Sequence, residues 1–177
     1  MTIYVYTKDH LVADKAEYKS GVVVNDNMHK IATYNAVDDA GNTVKIHLMV
    51  SGSVTTVLAL REWVYDEFTL KRSSLSNIAL ENLSINLREQ YKEATSNDEF
   101  DGILIFVSPT GKQFAYFLGD KPFLVPVKPP YAGGYRNAVL VALGALDAGA
   151  TAEEAVKIAV TRTNIAHPDN SLTVVEL

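Results

Sequence analysis

The strongest constraint on the fold is the order in which two hydrophobic periods follow one another along the chain. The first fifty residues read as strands. Thr2 to Tyr6 and Leu11 to Ala13 flank the polar turn Thr7-Lys8-Asp9-His10, a hairpin signal. Gly21 to Val24 and Lys30 to Val37 come next. After the turn Asp38-Asp39-Ala40-Gly41-Asn42, the stretch Thr43 to Val50 sets Val44, Ile46, Leu48 and Val50 on one face, with the period of two that a strand imposes. Beyond Ser51-Gly52-Ser53 the period lengthens. Val54, Val57, Leu58, Val64 and Phe68 sit close to helical spacing. Asn77 to Ala94 reads as a second helix with Leu80, Leu83, Leu87 and Tyr91 on one stripe, broken at Ser96-Asn97-Asp98.

Strands return at Gly102 to Val107, Gln113 to Leu118 and Phe123 to Val127, the first two joined through Pro109-Thr110-Gly111-Lys112. A loop from Lys128 to Gly134 leads to two helices. The first, Ala138 to Ala148, is apolar almost all round and is expected to be buried on more than one side. The second opens on the capping-box pattern Thr151-Ala152-Glu153-Glu154 and turns Ala155, Ile158 and Ala159 inward. Ser171 to Leu177 closes the chain as a strand. Strands and helices therefore come in blocks rather than alternating singly. That disfavours a doubly wound parallel sheet and favours a layered α+β sandwich of antiparallel sheets.

Composition removes several function classes. A chain of 177 residues, nearly half of them apolar, fits one domain over residues 1–177 and needs no staple. It has no cysteine, which excludes disulfides, thiolate zinc sites and a cysteine nucleophile. The formal charge of −5, with basic residues scattered, argues against nucleic acid as a partner. The longest apolar run, Ala138 to Leu143, is too short to span a bilayer. The N-terminal residues lack the basic and apolar regions of a signal peptide, so a cytoplasmic location is expected. His10, His29, His47 and His167 show no metal spacing, and Gly133-Gly134 matches neither a P-loop nor a dinucleotide fingerprint, so neither metal nor cofactor is expected.

Four local features then carry a family resemblance. Val12-Ala13-Asp14 ends the second strand, and Lys30-Ile31 opens a later one. Asp14 and Lys30 are sixteen residues apart, and Ser51-Gly52-Ser53 precedes the first helix. Ala150 to Ala155 and the ending Thr173-Val174-Val175-Glu176-Leu177 agree with them. The pattern resembles the proteasome β-subunit/HslV family, a branch of the N-terminal-nucleophile hydrolases. The resemblance implies a four-layer αββα sandwich with two antiparallel sheets.

It also implies a chemistry. In that family a threonine exposed as the first residue attacks the peptide carbonyl, and its own α-amine serves as base. On this chain the resemblance assigns the nucleophile to Thr2 once Met1 is removed, and the tuning charge to Lys30. Asp14 would hold Lys30, and Gly52 would supply the oxyanion N–H. With Thr2 as nucleophile the first hairpin is four residues shorter than the family's. Four is an even number, so side-chain facing is kept. The resemblance further implies a homo-oligomeric ring, peptide or protein substrates and an ATPase unfoldase as partner. Two stretches depart from the family. Pro129-Pro130-Tyr131-Ala132-Gly133-Gly134 lacks the family's serine, and Asn164 to Asn170 lacks its Arg-Asp motif. The alternative reading is accordingly an inactive scaffold on the same fold.

Overall fold

The computed structural model describes residues 2–19, 22–25, 29–83, 85–94, 100–119, 124–164 and 172–177. They form two compact units. One joins the N-terminal stretch through Ile31 to everything from Lys128 onward, and the other is Ala32–Val127. Each carries a sheet with helices on it, so the α+β class with two antiparallel sheets is the one found.

In the first unit, β1 (Ile3–Tyr6) and β2 (His10–Asp14) form the expected hairpin, with Val5 opposite Val12. Its turn is tied by the Thr7 N–H on the His10 carbonyl at 2.8 Å and the His10 N–H on Thr7 Oγ1 at 3.1 Å. Two short strands follow, β3 (Glu17–Lys19) and β4 (Val22–Asn25), where the sequence reading has only one. The second unit takes the chain from there as far as β9. The segment 128–134, read as loop, ends in a strand, β10 (Tyr131–Gly134), which pairs antiparallel with β1. Small residues without alternation give no period to detect. The last strand, β11 (Leu172–Glu176), pairs with β2, so the sheet order is β10-β1-β2-β11.

Two helices pack on this sheet, α4 (Arg136–Asp147) and α5 (Ala152–Thr163). Ile3, Val5, Val12 and Ala132 meet Ala138 and Ala142 of α4 and Ala155, Val156, Ala159 and Val160 of α5. The capping box of α5 forms as read, Thr151 Oγ1 accepting from the Glu154 N–H and Glu154 accepting from the Thr151 N–H. Two expectations fail. The first of these helices is not buried on several sides: only Ala138 and Ala142 are buried, and Leu140 is 64% exposed. A residue two along from Ala138 lies about 200° round the helix, on the opposite face. Ile158 does not face inward either but is 40% exposed, outside the arc of Ala155, Val156, Ala159 and Val160.

The second unit is a five-stranded sheet ordered β5 (Ile31–Val37), β6 (Thr43–Ser51), β7 (Asp101–Val107), β8 (Gln113–Gly119) and β9 (Val125–Val127). Its registers set Ile46 beside Phe106 and Phe114, and Leu48 beside Leu104 and Tyr116. Those rows form one core with the helices. Val44, Ile46, Leu48 and Val50 all face it, as their alternation implies. The first helix, α1 (Val54–Val64), buries Val57 and Val64 but leaves Val54 and Leu58 exposed. It runs into a π-helical stretch, Tyr65–Leu70, which the sequence did not signal.

The expected helix from Asn77 to Ala94 is two: α2 (Asn77–Glu81) and α3 (Ile85–Ala94). Asn82 leaves helical geometry at φ −117° and ψ 54°, yet Leu80, Leu83, Leu87 and Tyr91 are all buried. The stripe was right and the continuity was not, because a short break need not move residues off the buried side. Ser96-Asn97-Asp98, Phe123, His167-Pro168-Asp169 and all of Asn164 to Asn170 except Asn164 lie outside the described residues. Among the described residues no helix is long and apolar enough to cross a membrane.

Candidate active site

The site is built at the open end of the β1–β2 hairpin. Alternation along β1 sends Ile3 and Val5 into the helix-packed core. Thr2, Tyr4 and Tyr6 consequently share the other face. Thr2 is 6% exposed. Lys30, just ahead of β5, is also 6% exposed, and its Nζ donates to Thr2 Oγ1 at 2.8 Å and to Asp14 Oδ2 at 2.8 Å. Asp14, at the end of β2, is fully buried. Its Oδ1 accepts from the Ile3 N–H at 2.8 Å, and its Oδ2 also accepts from the Ala16 N–H at 3.0 Å.

This arrangement answers the cost of burying ions. A buried charge is strongly unfavourable unless it is paired and hydrogen-bonded. Here the carboxylate has one cation and two backbone amides, and the cation has a carboxylate and a hydroxyl. The Lys30–Asp14 salt bridge at 2.8 Å sets the lysine against its counter-charge, with the Thr2 hydroxyl as a second acceptor. Asp14 therefore does two things, holding Lys30 and fixing the β1 backbone one residue after Thr2.

Backbone contacts fix Thr2 from the other side. Its carbonyl accepts from the Tyr135 N–H at 2.8 Å. Gly134 stands beside it with φ +108°, and a Cβ there would fall 2.1 Å from the Thr2 carbonyl oxygen. Gly133 pairs with Tyr4 and leaves room for its ring, since a Cβ there would lie 2.1 Å from Tyr4 Oη. The sequence reading weighed these two glycines only as a P-loop or dinucleotide fingerprint. The signal was present, because paired glycines ahead of a helix mark a close backbone approach.

Three of the four residues named from the sequence thus come together: Thr2, Asp14 and Lys30. Gly52 belongs to the second unit. It is exposed in the turn between β6 and α1, beside the helix cap in which Ser53 Oγ accepts from the Thr56 N–H at 3.2 Å. That unit also holds a polar pair the sequence reading missed. His47 is 2% exposed, with Nδ1 at 3.0 Å from Thr33 Oγ1 and, among the described residues, no partner for Nε2. Burial, helped by the Lys45 charge, holds its imidazole down to a pKa of about 4. Of the other histidines, His29 is exposed, His10 is half-buried, and His167 lies outside the described residues. No group of three or more potential metal ligands occurs among the described residues.

Two antiparallel sheets with their helices, and a buried threonine–lysine–aspartate cluster at the N-terminal strand, define an N-terminal-nucleophile-hydrolase type of fold. Solved structures show which known folds it is similar to. HslV from Trypanosoma brucei superposes with a TM-score of 0.58 at 16% identity, covering 100% of both chains. Anbu, described as an ancestral β-subunit, from Yersinia bercovieri gives 0.63 at 11% identity, over 99% of this chain and 80% of that one. Anbu from Pseudomonas aeruginosa gives 0.66 at 12% identity with the same coverage. The chain has the HslV/Anbu fold of the proteasome-like proteins. No family profile and no curated protein matches its sequence.

Proposed function

We propose that this chain is a self-assembling, proteasome-like threonine peptidase whose nucleophile is the Thr2 hydroxyl. The observation that carries the proposal is the buried Lys30 ammonium held between Thr2 Oγ1 and Asp14 Oδ2. A lysine that donates to the hydroxyl oxygen occupies one lone pair and leaves the proton free to depart. It also stabilises the alkoxide that develops, and it does so more strongly in a buried setting than in water.

The base is the Thr2 α-amine, free once Met1 is gone and near neutral in pKa. Thr2 Oγ adds to the peptide carbonyl while its proton passes to that amine. The tetrahedral intermediate expels the leaving amine, which takes the proton. Water then hydrolyses the Thr2 ester by the same route.

Self-assembly has two supports. The Pseudomonas aeruginosa Anbu structure is described as a helical assembly. On this chain, Leu140 and Ile158 on the outward sides of α4 and α5 are exposed apolar residues. A ring of at least six chains, an ATPase unfoldase partner and a cytoplasmic setting belong to the same proposal. The rival reading is a scaffold without chemistry, favoured by Ala132 and its neighbours, where the segment before α4 offers no serine.

Hydrolysis of an unstructured protein substrate by chain whose mass confirms Thr2 as first residue separates the two. The peptidase reading expects cleavage that disappears in Thr2→Ala. Equal release by wild type and Thr2→Ala rejects it. Light scattering on the same samples tests assembly, with a monomer at micromolar concentration counting against it.

A further inference from the structure

We infer that Gly134 and the Tyr135 amide are positioning elements for Thr2, which they hold by its carbonyl so that its hydroxyl stays on Lys30. The inference rests on the reading of Thr2 as nucleophile. It adds residues to that site which take no part in the Lys30–Asp14 chemistry.

Thr2 has no strand partner on the β2 side, where pairing begins at Tyr4 with Ala13. Its main chain is instead caught at two points. Asp14 takes the N–H of the following residue, Ile3, at 2.8 Å. The Tyr135 N–H takes the Thr2 carbonyl at 2.8 Å. Tyr135 is the N-cap residue of α4 and makes no side-chain cap, so the amide that meets Thr2 is anchored to a twelve-residue helix. The approach demands glycine twice over at position 134. The φ of +108° is one that residues with a Cβ rarely adopt, and a Cβ would collide with the Thr2 carbonyl oxygen at 2.1 Å and its carbon at 2.9 Å. A side chain here would push Thr2 away from Tyr135 and, through the rigid peptide, swing Oγ1 off Lys30. Displacing a reacting group by about 1 Å can cost on the order of a hundredfold in rate.

Gly149 supplies the internal control. It also has positive φ, +92°, but a Cβ there meets nothing within 4 Å. Alanine at 149 carries the backbone strain without the collision. A second route removes only the hydrogen bond. Tyr135 sits at φ −62°, which proline adopts, so Tyr135→Pro deletes the N–H while keeping that angle.

The test is inactivation of the whole, processed chain by a peptidyl epoxyketone, resolved into the maximal rate and the half-saturating concentration. The Lys30 ammonium NMR signal is followed alongside. Gly134→Ala and Tyr135→Pro are expected to lower the maximal rate at least tenfold with little change in half-saturation, and to lose the Lys30 signal to solvent exchange. Gly149→Ala should lower the melting temperature by a few degrees and leave both readouts within twofold of wild type. Tyr135→Ala, which keeps the N–H, should react faster than Tyr135→Pro. If Gly134→Ala does not fold, Tyr135→Pro decides. A wild-type rate and an intact Lys30 signal in Tyr135→Pro would overturn the inference. If the wild type itself does not react, the nucleophile reading fails, and the Lys30 signal in the same variants alone decides whether the clamp exists.

Discussion

Two threonine hydroxyls in this molecule each touch the nitrogen of a buried basic side chain, and the two settings differ in how far the nitrogen's needs are met. Lys30 lies against Thr2 and Asp14, and Asp14 in turn is satisfied by two backbone amides. His47 lies against Thr33, and its second ring nitrogen has no partner among the described residues. Full partnering lets a charge stay in the interior. Partial partnering leaves neutralisation as the cheaper course, and the His47 pKa of about 4 records it. A buried base is therefore equipped for electrostatic work only where the chain also supplies its counter-charge.

The comparison breaks most readily at Asp14. Asp14→Ala removes the buried carboxylate that Lys30 donates to and frees the Ile3 and Ala16 amides. Removal of one partner of a buried pair typically costs about 3–5 kcal/mol, measurable as a lower urea midpoint at unchanged slope. Loss of less than about 1 kcal/mol would mean that the pair is not closed off from water.

The second effect is a pH dependence. His47 has its ordinary value of 6.5 when unfolded and about 4 when folded, so between those values the unfolded chain binds a proton that the folded chain refuses. Stability then rises with pH across that window and is lost as pH falls from 6.5 toward 4. A shift of this size corresponds to roughly 3 kcal/mol as an upper bound. Urea titrations of wild type and His47→Gln at pH 7 and pH 4.5 check it. The difference between the two proteins should shrink or reverse in acid, and parallel curves would contradict the depressed value.

A smaller effect calibrates both. Thr151→Ala removes the N-cap of α5 without touching either buried base, and should cost about 1 kcal/mol at all pH values.

How much of this was legible follows from the physics of each feature. Asp14 and Lys30 could be paired from the sequence because the family resemblance supplied a spacing, and the even length change kept Thr2 on the right face of β1. The Thr33–His47 pair needed only hairpin arithmetic. Asp38 and Asn42 close the turn, and the two residues lie five positions outside them on either side. Their types, a threonine and a lone histidine, drew no attention. The β10 clamp was harder, since Tyr131-Ala132-Gly133-Gly134 has no alternation and a strand defined by its partner leaves little mark of its own. Helix α4 misled in the opposite direction. Its apolar composition overstated burial because only Ala138 and Ala142 are fully covered, Val139, Val141, Leu143, Ala145 and Leu146 pack while partly buried, and Leu140 faces away. Composition registers how apolar a surface is, not whether this chain covers it.

The proposed chemistry depends above all on Lys30 acting on Thr2, and one measurement meets that directly. Chain whose mass shows Thr2 as first residue is incubated with a peptidyl epoxyketone, and the N-terminal fragment is weighed. The expected result is an adduct on Thr2 that is absent in Thr2→Ala. In folded Lys30→Ala it should form roughly 10²–10³-fold more slowly, the usual cost of deleting a group that stabilises a developing oxyanion. An unmodified Thr2 in the wild type, or an adduct formed as fast in Lys30→Ala, would contradict it.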